Sequence, residues 1–272
     1  MTRQLIPYKS KLDQGTAYWM ARLSKVVYFK TSPKNDLPHE EKILKNLQAE
    51  DPGFISVKGY NNNSAQGALI EHKDYLCMVF RGTDEAADWL DNINAFSTDE
   101  LFGKFHRGFW NSLADIWEPI YQDYCRLKAA NKRPLFFTGH SLGGAMASIA
   151  AARFIQQDWP FTAAYTFGQP RAMAREAARI FNAEAAQRYH RFQNNNDLVT
   201  RIPSRLMGYS HVGSYLYISE EKTIHADPGF WFRFLDSIDG AVESVMESGI
   251  DAIEDHSMDR YLAAVKRWDF ET

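Results

Sequence analysis

From Ala17 to Tyr28 apolar side chains return at helical spacing. Tyr18, Ala21, Leu23, Val26 and Val27 form one stripe, which predicts an amphipathic helix. Asp36 and Pro38 stand in the order of a cap and a first helical position, and predict a second helix through Leu47. The pattern then switches to short apolar runs. Phe54 to Tyr60, Gly67 to Glu71 and Tyr75 to Phe80 read as strands, with Asn61-Asn62-Asn63-Ser64 as the loop between the first two. Beyond Phe80 the two patterns alternate. A helical stretch from Arg107 to Lys128 precedes the run Pro134 to Thr138. An Ala-rich helix from Leu142 to Ile155 precedes Phe161 to Phe167, and a helix from Ala172 to Ala183 precedes Tyr189 to Gln193. Short apolar runs separated by helices predict an α/β fold with a mostly parallel sheet covered by helices. No repeat or Pro/Gly-rich linker divides it. Residues 1–272 therefore read as a single domain, with 1–50 an N-terminal helical portion, an antiparallel start to the sheet and 228–272 a C-terminal helical portion.

Composition narrows the function classes. A chain of 272 residues buries a sizeable core without staples. A charged share of 24% and a net charge of −3 exclude a disordered tail protein and carry no footprint of nucleic-acid binding. Cys77 lies in an apolar run and Cys125 in a helical pattern, so both read as buried thiols rather than a disulfide framework or metal motif. Met1 to Pro7 lead into Lys9, Lys11 and Asp13 instead of an apolar leader, and no stretch has the apolar length of a membrane span. The default expectation is a cytoplasmic protein, with secretion of a processed form left open. Aromatic residues, at 14%, either fill the core or line a site for an apolar ligand.

The most informative segment is Gly139-His140-Ser141-Leu142-Gly143, continued by Gly144. It matches G-x-S-x-G, which chance supplies about a tenth of a time in a chain this long, so its context decides. The apolar Leu135-Phe136-Phe137 stands just before it, and Ala145, Ala147, Ala150 and Ala151 just after. Strand, sharp turn and helix is the arrangement that lifts a serine hydroxyl above a sheet as a nucleophile. The plainer reading is a Gly-rich turn with Ser141 capping the helix.

A serine nucleophile needs a base, and the base an orienting acid. On a sheet of this kind both follow the serine, acid first. Asp197 is the candidate acid, just past the end of a predicted strand, although an Asx turn ahead of Pro203 explains it equally well. His211, His225 and His256 all follow it. His256, in Asp255-His256-Ser257, precedes a helical pattern with Tyr261, Leu262, Val265 and Trp268, and a helix N-terminus keeps a resting imidazole neutral. The developing oxyanion needs donors. One is the backbone N–H of Leu142. The other comes from Arg81-Gly82-Thr83 after an earlier strand, where Thr83 offers an N–H and a hydroxyl. Next, Ala86, Trp89, Leu90 and Ile93 share one helical face, as in a lid or a fixed surface helix.

Taken together these residues resemble the lipase class 3 family. Phe80-Arg81-Gly82-Thr83 is similar to its oxyanion segment, Asp88-Trp89-Leu90 to its lid start and His106-Arg107-Gly108-Phe109 to the element that follows. The elbow, Thr166-Phe167-Gly168-Gln169-Pro170-Arg171, Asn195-Asn196-Asp197 with Arg201-Ile202-Pro203, and Asp255-His256 with Tyr261 complete the series, over roughly Phe54 to Tyr261. The resemblance implies an α/β-hydrolase fold with a lid helix after the oxyanion strand, and carboxylic-ester hydrolysis. It also implies a Ser141–Asp197–His256 triad and Thr83 in the oxyanion hole. The disulfides and leader of secreted fungal members are not seen, and two features of the lid segment also depart from the family. Asn92 stands where fungal members commonly carry an acid, and the lid holds four carboxylates, Asp84, Glu85, Asp88 and Asp91, which an anionic lipid surface repels.

The expected protein is a triacylglycerol lipase or esterase acting through an acyl-enzyme, without metal or cofactor, on lipid or other acyl-ester substrates at a transient lipid interface. Phospholipase A1, feruloyl-type esterase and a non-catalytic interaction protein on the same fold are the alternatives. No Walker A string or Rossmann fingerprint is present, and His39-Glu40 lacks a second ligand histidine. Trp89, Leu90, Ile93, Phe96, His140 and Trp231 are the candidate substrate or lid contacts. Two aromatic groups, Trp89, Phe96, Phe102, Phe105, Phe109 and Trp110, and then Phe230, Trp231, Phe232 and Phe234, are expected to wall an acyl cleft.

Overall fold

The computed structural model describes residues 4–83, 96–226 and 254–271. Helix α1 spans Gln14–Val26 and starts earlier than the apolar stripe, because Asp13 caps it by accepting the Thr16 N–H at 2.9 Å. The second helix starts later than its sequence signals. Lys30–Ser32 (β1) and Asn35–Pro38 (β2) pair as an antiparallel ribbon, and Asp36 holds Lys30 and Arg81 instead of capping. His39 takes the cap position of α2, Glu40–Gln48, with Nδ1 accepting the Lys42 N–H at 3.4 Å.

The main sheet starts with β3 (Phe54–Asn62), β4 (Ala65–His72) and β5 (Leu76–Phe80). Next come β6 (Ser97–Glu100), β7 (Gly103–His106), helix α3 (Arg107–Ala130), β8 (Leu135–His140), α4 (Leu142–Gln156) and β9 (Ala163–Phe167). They are followed by β10 (Met173–Ala174), α5 (Arg175–Ala185), β11 (Tyr189–Asn194), β12 (Tyr209–Ser210), β13 (Ser214–Ile218) and β14 (Thr223–Ala226). Helix α6 (Met258–Arg267) and β15 (Asp269–Glu271) end the described chain, so its last portion is not purely helical. Among the described residues nine strands form one sheet in the order β15-β14-β13-β11-β9-β8-β5-β4-β3. The centre, β5-β8-β9-β11-β13, is parallel, and β3 and β4 are the antiparallel start.

Alternation along the strands divides the core into two layers. Leu76, Met78, Phe80, Leu135 and Phe137 face α3, α4 and α5, while Cys77, Val79 and Phe136 face α1, α2 and α6. Each such side chain contributes about 1.5–3 kcal/mol by leaving water. β6, β7, β10 and β12 form a second, small sheet, whose β7–β10 edge is continued by the His106 N–H donating to the Ala172 carbonyl at 2.9 Å. Because β10 occupies Met173–Ala174, α5 starts at Arg175 rather than Ala172. Cys77 is buried as expected, whereas Cys125 is exposed on α3, facing away from that helix's buried stripe.

Candidate active site

Ser141 sits between β8 and α4 with φ +59° and ψ −129°, a conformation costing about 1–3 kcal/mol for a residue with a side chain. Its surroundings hold it there. The Ser141 N–H donates to the Phe167 carbonyl at 3.0 Å, and its own carbonyl accepts from Gly144 (2.9 Å) and Ala145 (3.2 Å). β8 is buried along its whole length between β5 and β9, so the turn is mounted on a rigid parallel core. Leu142 is the first residue of α4, where backbone N–H groups and the helix dipole favour negative charge.

The two downstream candidates lie in contact. His256 Nδ1 is 3.0 Å from Asp197 Oδ1 and 2.9 Å from Oδ2. A carboxylate only accepts, so Nδ1 carries the hydrogen and a neutral ring keeps its lone pair on Nε2. That Nε2 and Ser141 Oγ are both buried, and neither has a hydrogen bond among the described residues. A serine and base separated before substrate arrives are common in such sites. Their proximity follows from shared neighbours. The Ser141 N–H is held by Phe167, and a methyl group on Gly168 would lie 2.8 Å from both Asp197 Oδ2 and His256 Cε1.

Asp197 is fully buried. It caps a short 3-10 turn, Leu198–Arg201, its Oδ1 accepting the Val199 N–H at 3.0 Å, so the carboxylate that makes this turn is the same one that meets His256. Tyr261 Oη donates to Oδ2 at 2.5 Å and accepts the Asn194 N–H at 2.9 Å. Burial and the adjacent carboxylate push the Tyr261 phenol well above its ordinary range, which keeps it a donor. Asp255 ties the acid's loop to the residue before the base. Its carboxylate accepts from Asn195 Nδ2 (3.0 Å), the Asn196 N–H (3.2 Å) and Arg260 Nη1 (2.7 Å). Its carbonyl accepts from Asn194 Nδ2 at 2.8 Å. The competing histidines are engaged elsewhere. His211 Nε2 donates to the Thr200 carbonyl at 2.8 Å, and His225 lies on β14 beside the Tyr217 ring.

The loop after β5 reaches the serine through Gly82. A methyl group there would stand 2.7 Å from the His140 carbonyl oxygen and 2.8 Å from Ser141 Cβ, so only glycine fits. Arg81 anchors the loop from behind, donating to the Asp36 carbonyl (2.9 Å), Asp36 Oδ1 (3.1 Å) and Gln66 Oε1 (2.9 Å). Thr83 follows with its hydroxyl buried and without a hydrogen bond among the described residues. Thr83, Ser141, Leu142, Asp197 and His256 thus gather beyond the carboxyl ends of the parallel strands, where open α/β sheets bind ligands.

Other expected contacts fare differently. His140 is buried, with Nδ1 2.8 Å from Tyr28 Oη and Nε2 2.7 Å from the His256 carbonyl oxygen, so neither nitrogen is left for a substrate. Phe96 is 58% exposed, with the Arg107 guanidinium over its ring at 4.9 Å. Phe105 and Phe109 are fully buried and Trp110 nearly so in the layer around α3, which makes them core rather than cleft wall. Trp89, Leu90, Ile93 and Trp231, the lid helix and the second aromatic group lie outside the described residues. Tyr28 and the polar roles of Tyr261 and Asp255 escape a reading of the sequence. Only the adjacency of Asp255 to His256 hints at them.

Residues 77–207 match the family model described as lipase (class 3). The secreted mono- and diacylglycerol lipase A of Penicillium cyclopium is 28% identical over 173 residues, 61% of this chain and 52% of its own length. The secreted mono- and diacylglycerol lipase 1 of Fusarium solani is 33% identical over 140 residues, 50% of this chain and 41% of its own. The chain spans about half the length of these curated relatives. A deletion variant of the Rhizomucor miehei lipase–propeptide complex superposes with a TM-score of 0.64 at 21% identity, over 76% of this chain and 67% of that one. What is shared at that identity is the fold, the α/β-hydrolase fold.

Proposed function

Because residues 77–207 belong to the class 3 lipase family, we propose that this protein is a serine hydrolase of acylglycerols and related carboxylic esters. Ser141 Oγ attacks the ester carbonyl while His256 Nε2 takes its proton. Asp197 holds the imidazole in the required tautomer and stabilises the imidazolium. The Leu142 N–H and the N–H and hydroxyl of Thr83 receive the oxyanion. His256 then protonates the leaving alcohol, and water enters by the reverse of these steps to release the acid. The observation carrying this reading is the buried His256–Asp197 pair, whose Nε2 has no hydrogen bond among the described residues, set beside a serine in a strained backbone conformation. A non-catalytic scaffold has no need of that arrangement.

The relatives named for mono- and diacylglycerols support a lipid substrate, and the unbroken sheet from β3 to β15 supports one domain over the whole chain. The word secreted in their names favours export over the cytoplasmic default. Among the described residues no helix is long and apolar enough to cross a membrane. Fractionation of the source cells tests the compartment. Hydrolysis of p-nitrophenyl esters by wild type and Ser141→Ala tests the chemistry, with fluorophosphonate labelling of wild type alone as the expected result. Full turnover in Ser141→Ala would overturn the assignment. A series of tri-, di- and monoacylglycerols, phospholipids and feruloyl esters separates the substrate classes.

A further inference from the structure

Three hydrogen bonds join the loop before Thr83 to the backbone of His256 through two side chains. The Gly82 N–H donates to Tyr28 Oη at 3.2 Å, Tyr28 Oη lies 2.8 Å from His140 Nδ1, and His140 Nε2 lies 2.7 Å from the His256 carbonyl oxygen. The last contact fixes the protons. A carbonyl only accepts, so His140 Nε2 carries hydrogen. Burial, and then the neighbouring His256 ring, push the basicity of His140 well below the ordinary histidine range, so the ring is neutral and Nδ1 presents a lone pair. Tyr28 therefore donates to Nδ1, and its oxygen accepts from Gly82. The His140 and His256 rings lie 4.5 Å apart, centre to centre, so the relay also packs directly against the base.

We propose that Tyr28 and His140 are positioning residues that lock the oxyanion loop and the general base into one frame, an inference that rests on the triad reading above. Negative charge develops at Thr83 and Leu142 in the same step that moves a proton to His256. The relay joins those two places without passing through the substrate. By occupying the Gly82 N–H it fixes the peptide immediately before the one that carries the Thr83 N–H. By holding the His256 carbonyl it fixes the backbone from which Nε2 is aimed. Donors already in place when charge forms need no reorganisation in the transition state, so the relay acts on the chemical step rather than on substrate affinity.

The test is a cycle of Tyr28→Phe, His140→Gln and the double variant. Gln keeps an N–H of similar reach for the His256 carbonyl but offers Tyr28 no ring lone pair. With p-nitrophenyl butyrate, Tyr28→Phe should lower kcat about tenfold with KM within twofold, and should lower it only about threefold further on the His140→Gln background. All variants should still label with fluorophosphonate, more slowly than wild type. A labelled and active wild type whose Tyr28→Phe variant keeps kcat within twofold overturns the relay alone. So do effects that multiply fully in the double variant. A wild type that does not label overturns the triad reading, and this inference with it. If Tyr28→Phe does not fold, His140→Gln carries the test, and an unchanged kcat in it is the refuting result.

Discussion

Gly168 follows β9 with φ +59°, and the space its side chain would need is filled by the acid–base pair. Replacing it by alanine puts a methyl carbon 2.8 Å from Asp197 Oδ2, 2.8 Å from His256 Cε1 and 2.9 Å from His256 Nδ1. Ordinary contact begins at 3.4 Å, so the pair has to retreat from the methyl group. A retreat of about half an ångström at the reacting centre lowers kcat roughly tenfold or more, given that a full ångström costs about a hundredfold. Left-handed backbone at alanine adds about 1–2 kcal/mol of destabilisation, which lowers the melting temperature by roughly 2–8 °C. Gly208→Ala separates the two effects. It has φ +89°, and an added methyl meets nothing within 4 Å, so it should lose melting temperature and keep kcat. Steady-state hydrolysis of p-nitrophenyl butyrate with thermal melts of both variants reads this out. A folded Gly168→Ala protein with wild-type kcat would refute the placement of Asp197 and His256 as the working pair.

Stability should also fall on mild acidification. Burial holds His140 and His211 well below the ordinary histidine range. The unfolded chain therefore binds protons below about pH 6.5 that the native state refuses, each contributing up to about 1.4 kcal/mol per pH unit. The native state should be unaffected by this above pH 6.5 and progressively weaker from there toward pH 5, as measured by urea unfolding. A flat midpoint across that window contradicts the buried neutral rings. Tyr261→Phe removes the donor to Asp197 Oδ2 and leaves the Asn194 N–H without its acceptor. Urea unfolding should show a loss of about 2 kcal/mol or more, and kcat should fall, while an unchanged midpoint would contradict the contact.

The parts of the site legible in the sequence are those encoded by local succession. Leu135 to Ala151 spells strand, turn and helix without interruption, and the turn angles follow from that order. Asp197 is ambiguous in sequence for a physical reason, since one carboxylate caps the Val199 turn and faces His256 at once. The helical pattern after His256 favours it over His211 and His225, and the family resemblance strengthens that choice, because the contacts His211 makes with Thr200 and His225 with the Tyr217 ring are side-chain geometry that spacing does not reveal. The small sheet escapes the pattern because its strands have two to four residues, and Ser97–Glu100 carries no apolar position to alternate with. Tyr28 lies 112 positions before its partner His140, and beside its own helix it reads as one more aromatic residue. Cys125 reads as buried because its neighbours continue the pattern of α3, while it points outward.

Helices α1 and α6 pack against each other on one face of the sheet, joined at the surface by Lys25 and Asp259, with Ser24 of α1 bonded to Thr138 beneath. The first helix of the described chain and the last thus complete the same layer. During synthesis on a ribosome α1 emerges long before α6, and its final neighbour exists only once α6 has followed. Ser141 and Asp197 wait with it for His256, which comes just ahead of α6. On the triad proposed above, a nascent chain therefore has no general base until the segment just ahead of α6 has emerged, and one truncated before His256 also leaves α1 without its final neighbour.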